Sequence, residues 1–172
     1  MTELLTRLSV HGLDLVLSNR RVHQDGNHPW RYYRIARQRV RLIGKPRGDG
    51  QAFRFPEGLM NQAVLLPSQD SDIRPRFDLI CKQFEIRSTT LAEVDDIATL
   101  RLLVRDSNAI ALFPFIVVQD ELRNGSLVEY CRVPQLYEDS YAIAVQRHFQ
   151  SPPIRSLLKR RDADVLTPEK NN

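Results

Sequence analysis

An α/β fold of two lobes is predicted for this chain, and three observations predict it. The stretch from Phe84 to Val128 reads as a strand, a helix, a strand and another helix in unbroken succession. A long β-like segment, Tyr32 to Ile43, reads as running from a first lobe into a second. The length, 172 residues, suffices for one ordinary domain or for two small lobes with a core each.

The elements follow in order. Thr2 to Val10 is an amphipathic helix with Leu4, Leu5 and Leu8 at helical spacing, ended by Gly12. Leu13 to Ser18 is a strand. Arg20 to Trp30, with Asp25-Gly26-Asn27 and His28-Pro29, is a turn-rich loop. Tyr32 to Ile43 is the first crossing strand, and Pro46 to Gly58 is a loop. Ala63 to Leu66 is a short buried strand closed by Pro67, and Ile73 to Gln83 is a helix. Phe84 to Leu91 is rich in β-branched residues and partly alternating, which suits a strand. Asp95-Asp96 opens a helix with both acids in its first turn, where the dipole favours them, and Ile97, Leu100, Leu103 and Val104 form its apolar stripe. Asp106-Ser107-Asn108 stops it. Ala109 to Phe113 is a continuous apolar run, hence a strand buried on both faces of a parallel unit, ended by Pro114. Phe115 to Leu122 then turns through Arg123-Asn124-Gly125-Ser126 into a further strand.

Composition excludes several classes. No apolar run approaches the ~20 residues that a membrane span needs, so no membrane partner is expected. Cys81 and Cys131 lack metal-like spacing and read as reduced thiols of a cytoplasmic protein. The net charge of +4 and a pI near 9.3 raise the question of nucleic acid. Arg37, Arg39 and Arg41 alternate with Gln38, Val40 and Leu42, however, which reads as a solvated sheet face or an anion-contacting one. Lys159-Arg160-Arg161 complements the dipole at the end of the terminal helix. His23 and His28 are solvated loop histidines without a third ligand. Neither a resident metal nor a cofactor is expected.

A site is expected where strands end. Ser68, Gln69, Asp70 and Ser71 lie between a strand terminus and a helix N-terminus, the place where open α/β sheets collect ligands. Asp70 or Ser71 caps that helix, and Arg74 stands one turn into it. Ser18 and Asn19 follow the first strand, and Phe113-Pro114 forms a third strand-end corner. No nucleophile elbow, phosphate loop, Cys-x-x-Cys or His-Glu-x-x-His is present. The alternatives are a small α/β hydrolase-like enzyme using Ser68 or Ser71 with His148, or a stand-alone dimerisation module without a ligand.

The string Leu103-Val104-Arg105-Asp106-Ser107-Asn108-Ala109-Ile110-Ala111-Leu112-Phe113-Pro114, followed by Asp120-Glu121-Leu122-Arg123-Asn124-Gly125-Ser126-Leu127-Val128, resembles the effector-binding (substrate-binding) domain of LysR-type transcriptional regulators. His11 to Ser18 resembles that family's first-subdomain strand, and Tyr141 to Val145 with Ser151-Pro152 to Leu158 its closing strand and helix. The opening and closing segments are most similar to the NhaR-like, sodium-responsive branch. The resemblance implies two Rossmann-like lobes of the type II periplasmic-binding-protein kind, joined by two crossing strands. Residues 1–38 plus 146–161 would form the first regulatory lobe, 39–145 the second, and 162–172 a flexible tail. It implies a non-enzymatic sensor, a dimer or tetramer, that binds a small effector between its lobes and meets DNA only through an N-terminal winged helix-turn-helix domain. A hard cation would need oxygen ligands, for which Asp70, Glu93 and Asp95 are available. An organic anion would use Ser18, Ser68, Ser71 and Arg74. The family's first strand precedes the segment at Thr2, so the first lobe is expected to be N-terminally truncated. Leu13 to Ser18 would then close onto Tyr32 to Ile35, borrow a strand from a neighbour, or be poorly ordered.

Overall fold

The computed structural model describes residues 1–20, 30–48, 52–145 and 152–159. His23, His28, His148, the Asp25-Gly26-Asn27 turn, Arg160-Arg161 and the 162–172 tail lie outside the described residues. The elements are α1 (Thr2–Ser9), β1 (Val16–Ser18), β2 (Trp30–Gly44), β3 (Ala63–Pro67), α2 (Arg74–Gln83), β4 (Thr89–Val94), α3 (Ile97–Asp106), β5 (Ile110–Pro114), α4 (Gln119–Asn124), β6 (Val128–Val145) and α5 (Pro152–Lys159). Hydrogen bonding orders the strands β1-β6-β2-β5-β3-β4. The chain divides into two compact units, Met1–Arg37 with Asp139–Asn172, and Gln38–Glu138, so that β2 and β6 each contribute to both.

In the second unit β3 lies between β4 and β5 and is parallel to both, while β2 runs antiparallel to β5. Successive β3 residues point to opposite faces. Val64 and Leu66 join Ile110, Leu112, Ile73 and Phe77 on the α2 side, whereas Leu65 joins Ala111, Phe113, Leu100 and Val104 on the α3 side. Both faces are therefore covered, which is why β3 and β5 are apolar throughout rather than alternating. Gly125, at φ 76°, takes the left-handed conformation that closes α4 before β6.

In the first unit Val16 and Ser18 pair antiparallel with Ile143 and Tyr141 of β6. Leu5 and Leu8 of α1 pack against Val16, Trp30, Ile143 and Val145. The Trp30 indole N–H, which would otherwise be buried without an acceptor, donates to Ser9 Oγ at 3.1 Å.

Several expectations are corrected. The strand after α2 is Thr89–Val94, not Phe84 to Leu91. Phe84 caps α2, Glu85 adopts φ 51°, and the Ile86 amide donates back to the Cys81 carbonyl at 2.8 Å, so these residues finish the helix. Neither Asp70 nor Ser71 is the cap of α2; Ile73 occupies that position, and Ser71 Oγ accepts its amide from outside the helix. Asp96 is itself the cap of α3 and accepts the Thr99 amide at 2.7 Å, so no acid lies in the first turn. Arg41 is not on a solvated face, because Glu129 and the Phe115 ring cover its guanidinium, the ring at 4.7 Å. The first strand is three residues long and closes on β6 rather than on Tyr32 to Ile35. Its antiparallel bonds to Tyr141–Ile143 satisfy the backbone groups that an unpaired strand would expose.

Because β1 is short and pairs on one side only, its amides should exchange with solvent faster than those of Ile110 to Phe113, which pair with β2 and β3. Native-state hydrogen exchange read by NMR checks this, and equal protection of the two strands would contradict it.

Candidate functional site

In the first unit, a cavity of about 410 Å³ opens at the carboxyl end of β1. Ser18 and Asn19, both expected there, line it together with Leu17. Its other walls are Ile35 and Ala36 of β2 and Ser140 and Tyr141 of β6. Ser18 Oγ donates to the Arg20 carbonyl and accepts the Arg20 amide, both at 3.0 Å, which folds the chain sharply at the strand's end. One wall is thus apolar and the rim carries hydroxyl and amide groups, the composition of a site for a small, partly polar molecule.

Charge beside this cavity is fixed by Asp139, whose side chain is almost fully buried. Arg37 donates to both its oxygens, Nε to Oδ1 at 2.7 Å and Nη2 to Oδ2 at 2.9 Å, and Tyr141 Oη donates to Oδ2 at 3.1 Å. The Arg37 bonds hold the Asp139 carboxyl below the usual aspartate range despite its burial. Ile35, Ala36, Ser140 and Tyr141 were not expected from sequence. They lie within long strands rather than after them, and their neighbours Arg37 and Asp139 are far apart in the chain.

In the second unit, β3, β4 and β5 are parallel, so the segments that follow Pro67, Val94 and Pro114 share one edge of the sheet. Ser68 to Ser71, Asp95 and the Pro114 corner all lie on that edge, as the strand-end rule requires. Arg74 joins them differently from expectation. Its buried guanidinium donates to the Pro67 carbonyl at 3.1 Å, to Asp78 at 2.9 Å and to Glu93 at 2.9 Å. It therefore ties the end of β3 to α2 and β4. Gln69 bonds Asp78 at 3.3 Å, and Asp70 and Asp95 are exposed. Ser68 Oγ is buried without a hydrogen-bond partner among the described residues. Phe113 is wholly buried among Leu65, Leu100 and Val104, and its side chain belongs to the core.

No group of three or more His, Cys, Asp or Glu among the described residues is arranged to hold a metal ion. Cys81 and Cys131 are free, and burial pushes their thiols up to about 11 and about 12, far from the thiolate character that redox or nucleophilic chemistry needs. No helix among the described residues is long and apolar enough to cross a membrane.

The fold has many solved counterparts. DarR of Vibrio fischeri, solved in complex with DNA, aligns at a TM-score of 0.69 and 20% identity over 92% of this chain and 54% of that one. The regulatory domain of HypT from Salmonella typhimurium, a hypochlorite-specific LysR-type regulator, aligns at 0.66 and 16% over 91% of this chain and 75% of that one. The effector binding domain of QuiR, solved with shikimate, aligns at 0.65 and 15% over 91% and 74%. This chain spans about half the length of full-length HypT, 53%. No curated protein matches it. These likenesses establish the mixed α/β fold of a type II periplasmic-binding-protein kind. With residues 1–160 of its 172 matching the LysR substrate binding domain, the chain belongs to that family.

Proposed function

We propose that this chain is the effector-sensing part of a LysR-type transcriptional regulator, a binding module without catalysis that takes a small organic acid. The observation that carries it is the cavity of about 410 Å³ with Ser18 and Asn19 at its rim. Ser68, Gln69, Asp70 and Ser71 are a candidate set of their own at the strand ends of the second unit, with the Ser68 hydroxyl, unpartnered among the described residues, foremost and Phe113-Pro114 as the framing corner. Arg74 would act by holding that loop rather than by meeting the ligand, since its donors are already engaged. Related domains supply the ligand class: QuiR is seen with shikimate, a regulator from Synechocystis with 2-PG, and HypT with bromide. The NhaR-like branch would instead imply sodium, coordinated by Asp70, Glu93 and Asp95. Glu93 is ion-paired with Arg74, which leaves hydroxyls and amides as the better donors and puts the organic acid ahead. In this reading the sensor works in the cytoplasm as a dimer or tetramer, and DNA is met through another domain of the regulator.

Thermal denaturation with shikimate and related hydroxy acids, and with sodium chloride against matched potassium chloride, tests it. An acid that binds should raise the melting temperature with ln(1 + [L]/Kd). Ser71→Ala should weaken that binding by about tenfold, the worth of one hydrogen bond to a charged group, and Ser18→Ala, whose hydroxyl already donates to the Arg20 carbonyl, by less, through loosening of that turn. A sodium-specific shift with no response to any acid would reverse the assignment.

A further inference from the structure

We propose a second ligand site in the Gln38–Glu138 unit, for a small anion bearing a carboxylate or phosphate group, built from Lys45, Arg47, Gln62, Asn108 and Tyr130. These residues line a cavity of about 410 Å³. Gln62 immediately precedes β3, Asn108 lies two residues ahead of β5, and Lys45 follows β2, which runs antiparallel to β5. The site is therefore at the amino ends of the parallel strands, the opposite end of the sheet from Ser68 to Ser71. It is independent of the effector reading above.

Several of the described arginines have acids as partners, and the cations of this cavity do not. Arg37, Arg41, Arg74 and Arg101 are each ion-paired with an acid. Lys45 and Arg47 have no carboxylate partner among the described residues, and no acid among those residues lines the cavity. Glu129, next to Tyr130 in sequence, has its oxygens on Arg41 and Arg132. Arg47 is nonetheless held in place. Its Nη2 donates to Gln62 Oε1 at 2.9 Å, and its guanidinium carbon sits 4.9 Å from the Tyr130 ring centre and 5.3 Å from that of Phe53. Those two rings stack on each other at 5.2 Å, and Tyr130 Oη donates to the Lys45 carbonyl. Gly44 permits this, because a Cβ there would come within 2.9 Å of Tyr130 Cε2. A guanidinium with one N–H engaged among the described residues and its position held by aromatic contact is preorganised for an oxyanion. The Lys45 ammonium and the Asn108 amide complete a donor set aimed into one cavity.

The test uses the whole chain, titrated separately with inorganic phosphate, benzoate and the neutral analogue benzamide, and followed by NMR of the backbone amides. Phosphate or benzoate should shift the resonances of residues 45–48, 62, 108 and 130, with affinity falling as salt rises. Which of the two binds tells phosphate from carboxylate recognition. Lys45→Gln, which breaks no hydrogen bond or ion pair among the described residues, should weaken binding about tenfold, and Arg47→Met by more than that. Ser18→Ala should leave it unchanged, which separates this site from the effector site. Absence of any shift at these residues with either anion, an equal response to benzamide, or unaltered affinity in folded Lys45→Gln would overturn the proposal.

Discussion

Phe113→Ala should lower the unfolding free energy by about 3–5 kcal/mol, a large part of the ~5–15 kcal/mol that a domain commands. The ring has no solvent exposure and shares a buried cluster with Leu65 of β3, Leu100 and Val104 of α3, and Leu127 just ahead of β6. Its removal leaves a cavity between the sheet and α3 that neither can collapse to fill, since both are anchored on the other side of the void. Urea denaturation would show a lower midpoint at unchanged slope. The same variant separates two roles for this position. A ring confined to the core frames the site through the backbone, so effector affinity, measured where the variant is still folded, should stay close to that of the parent. A loss of stability under ~1 kcal/mol would mean that the sheet repacks and that the position is not structural.

The parts of the fold that were legible are those whose signal is local. The apolar runs Ala63 to Leu66 and Ala109 to Phe113 announce strands covered on both faces, because a strand with one face in water would alternate instead of running four or five apolar side chains in succession. Asn124-Gly125 announces a left-handed helix end for the same reason. Phe84 to Leu91 misleads because Ile86 is β-branched and buried against the core, yet it is reached by a helix closing on itself, a backbone event that side-chain propensity does not record. Arg41 misleads in another way. Alternation along β2 tells which face a side chain takes, but what covers that face, Phe115 and Glu129, arrives from far along the chain. The candidate site divides similarly. Ser18, Asn19 and the Ser68 to Ser71 loop follow from the rule that ligands gather at strand ends. Ile35, Ala36, Ser140 and Tyr141 become neighbours only through pairing between strands a hundred residues apart, and Glu93, which engages Arg74, is likewise distant from it in sequence.

Asp139→Asn should cost about 2–3 kcal/mol at neutral pH, because a buried carboxylate that receives two charge-assisted bonds from Arg37 loses its charge. Arg37 keeps 42% of its side chain in solvent and can rehydrate, so the loss stays below that of a fully buried pair. The pH dependence identifies the cause. The Asp139 carboxyl is lowered below its ordinary value of 3.8, chiefly by the Arg37 bonds, with Tyr141 and the charge of Arg34 adding to them. A group depressed in the folded state contributes stability that is fully present above its unfolded value, and that contribution is lost as pH falls through the folded one. The gap in stability between parent and Asp139→Asn should therefore be constant from about pH 5 to 8 and close progressively below about pH 4. Urea melts across that range measure it. Ser140 and Tyr141, which flank this carboxylate, line the cavity, so the substitution should also weaken effector binding, whereas the anion response of Lys45 and Arg47 should persist. A gap that stays the same down to pH 2 would show that the side chain stabilises the strand by packing alone and that its charge does not hold the β2–β6 pairing together.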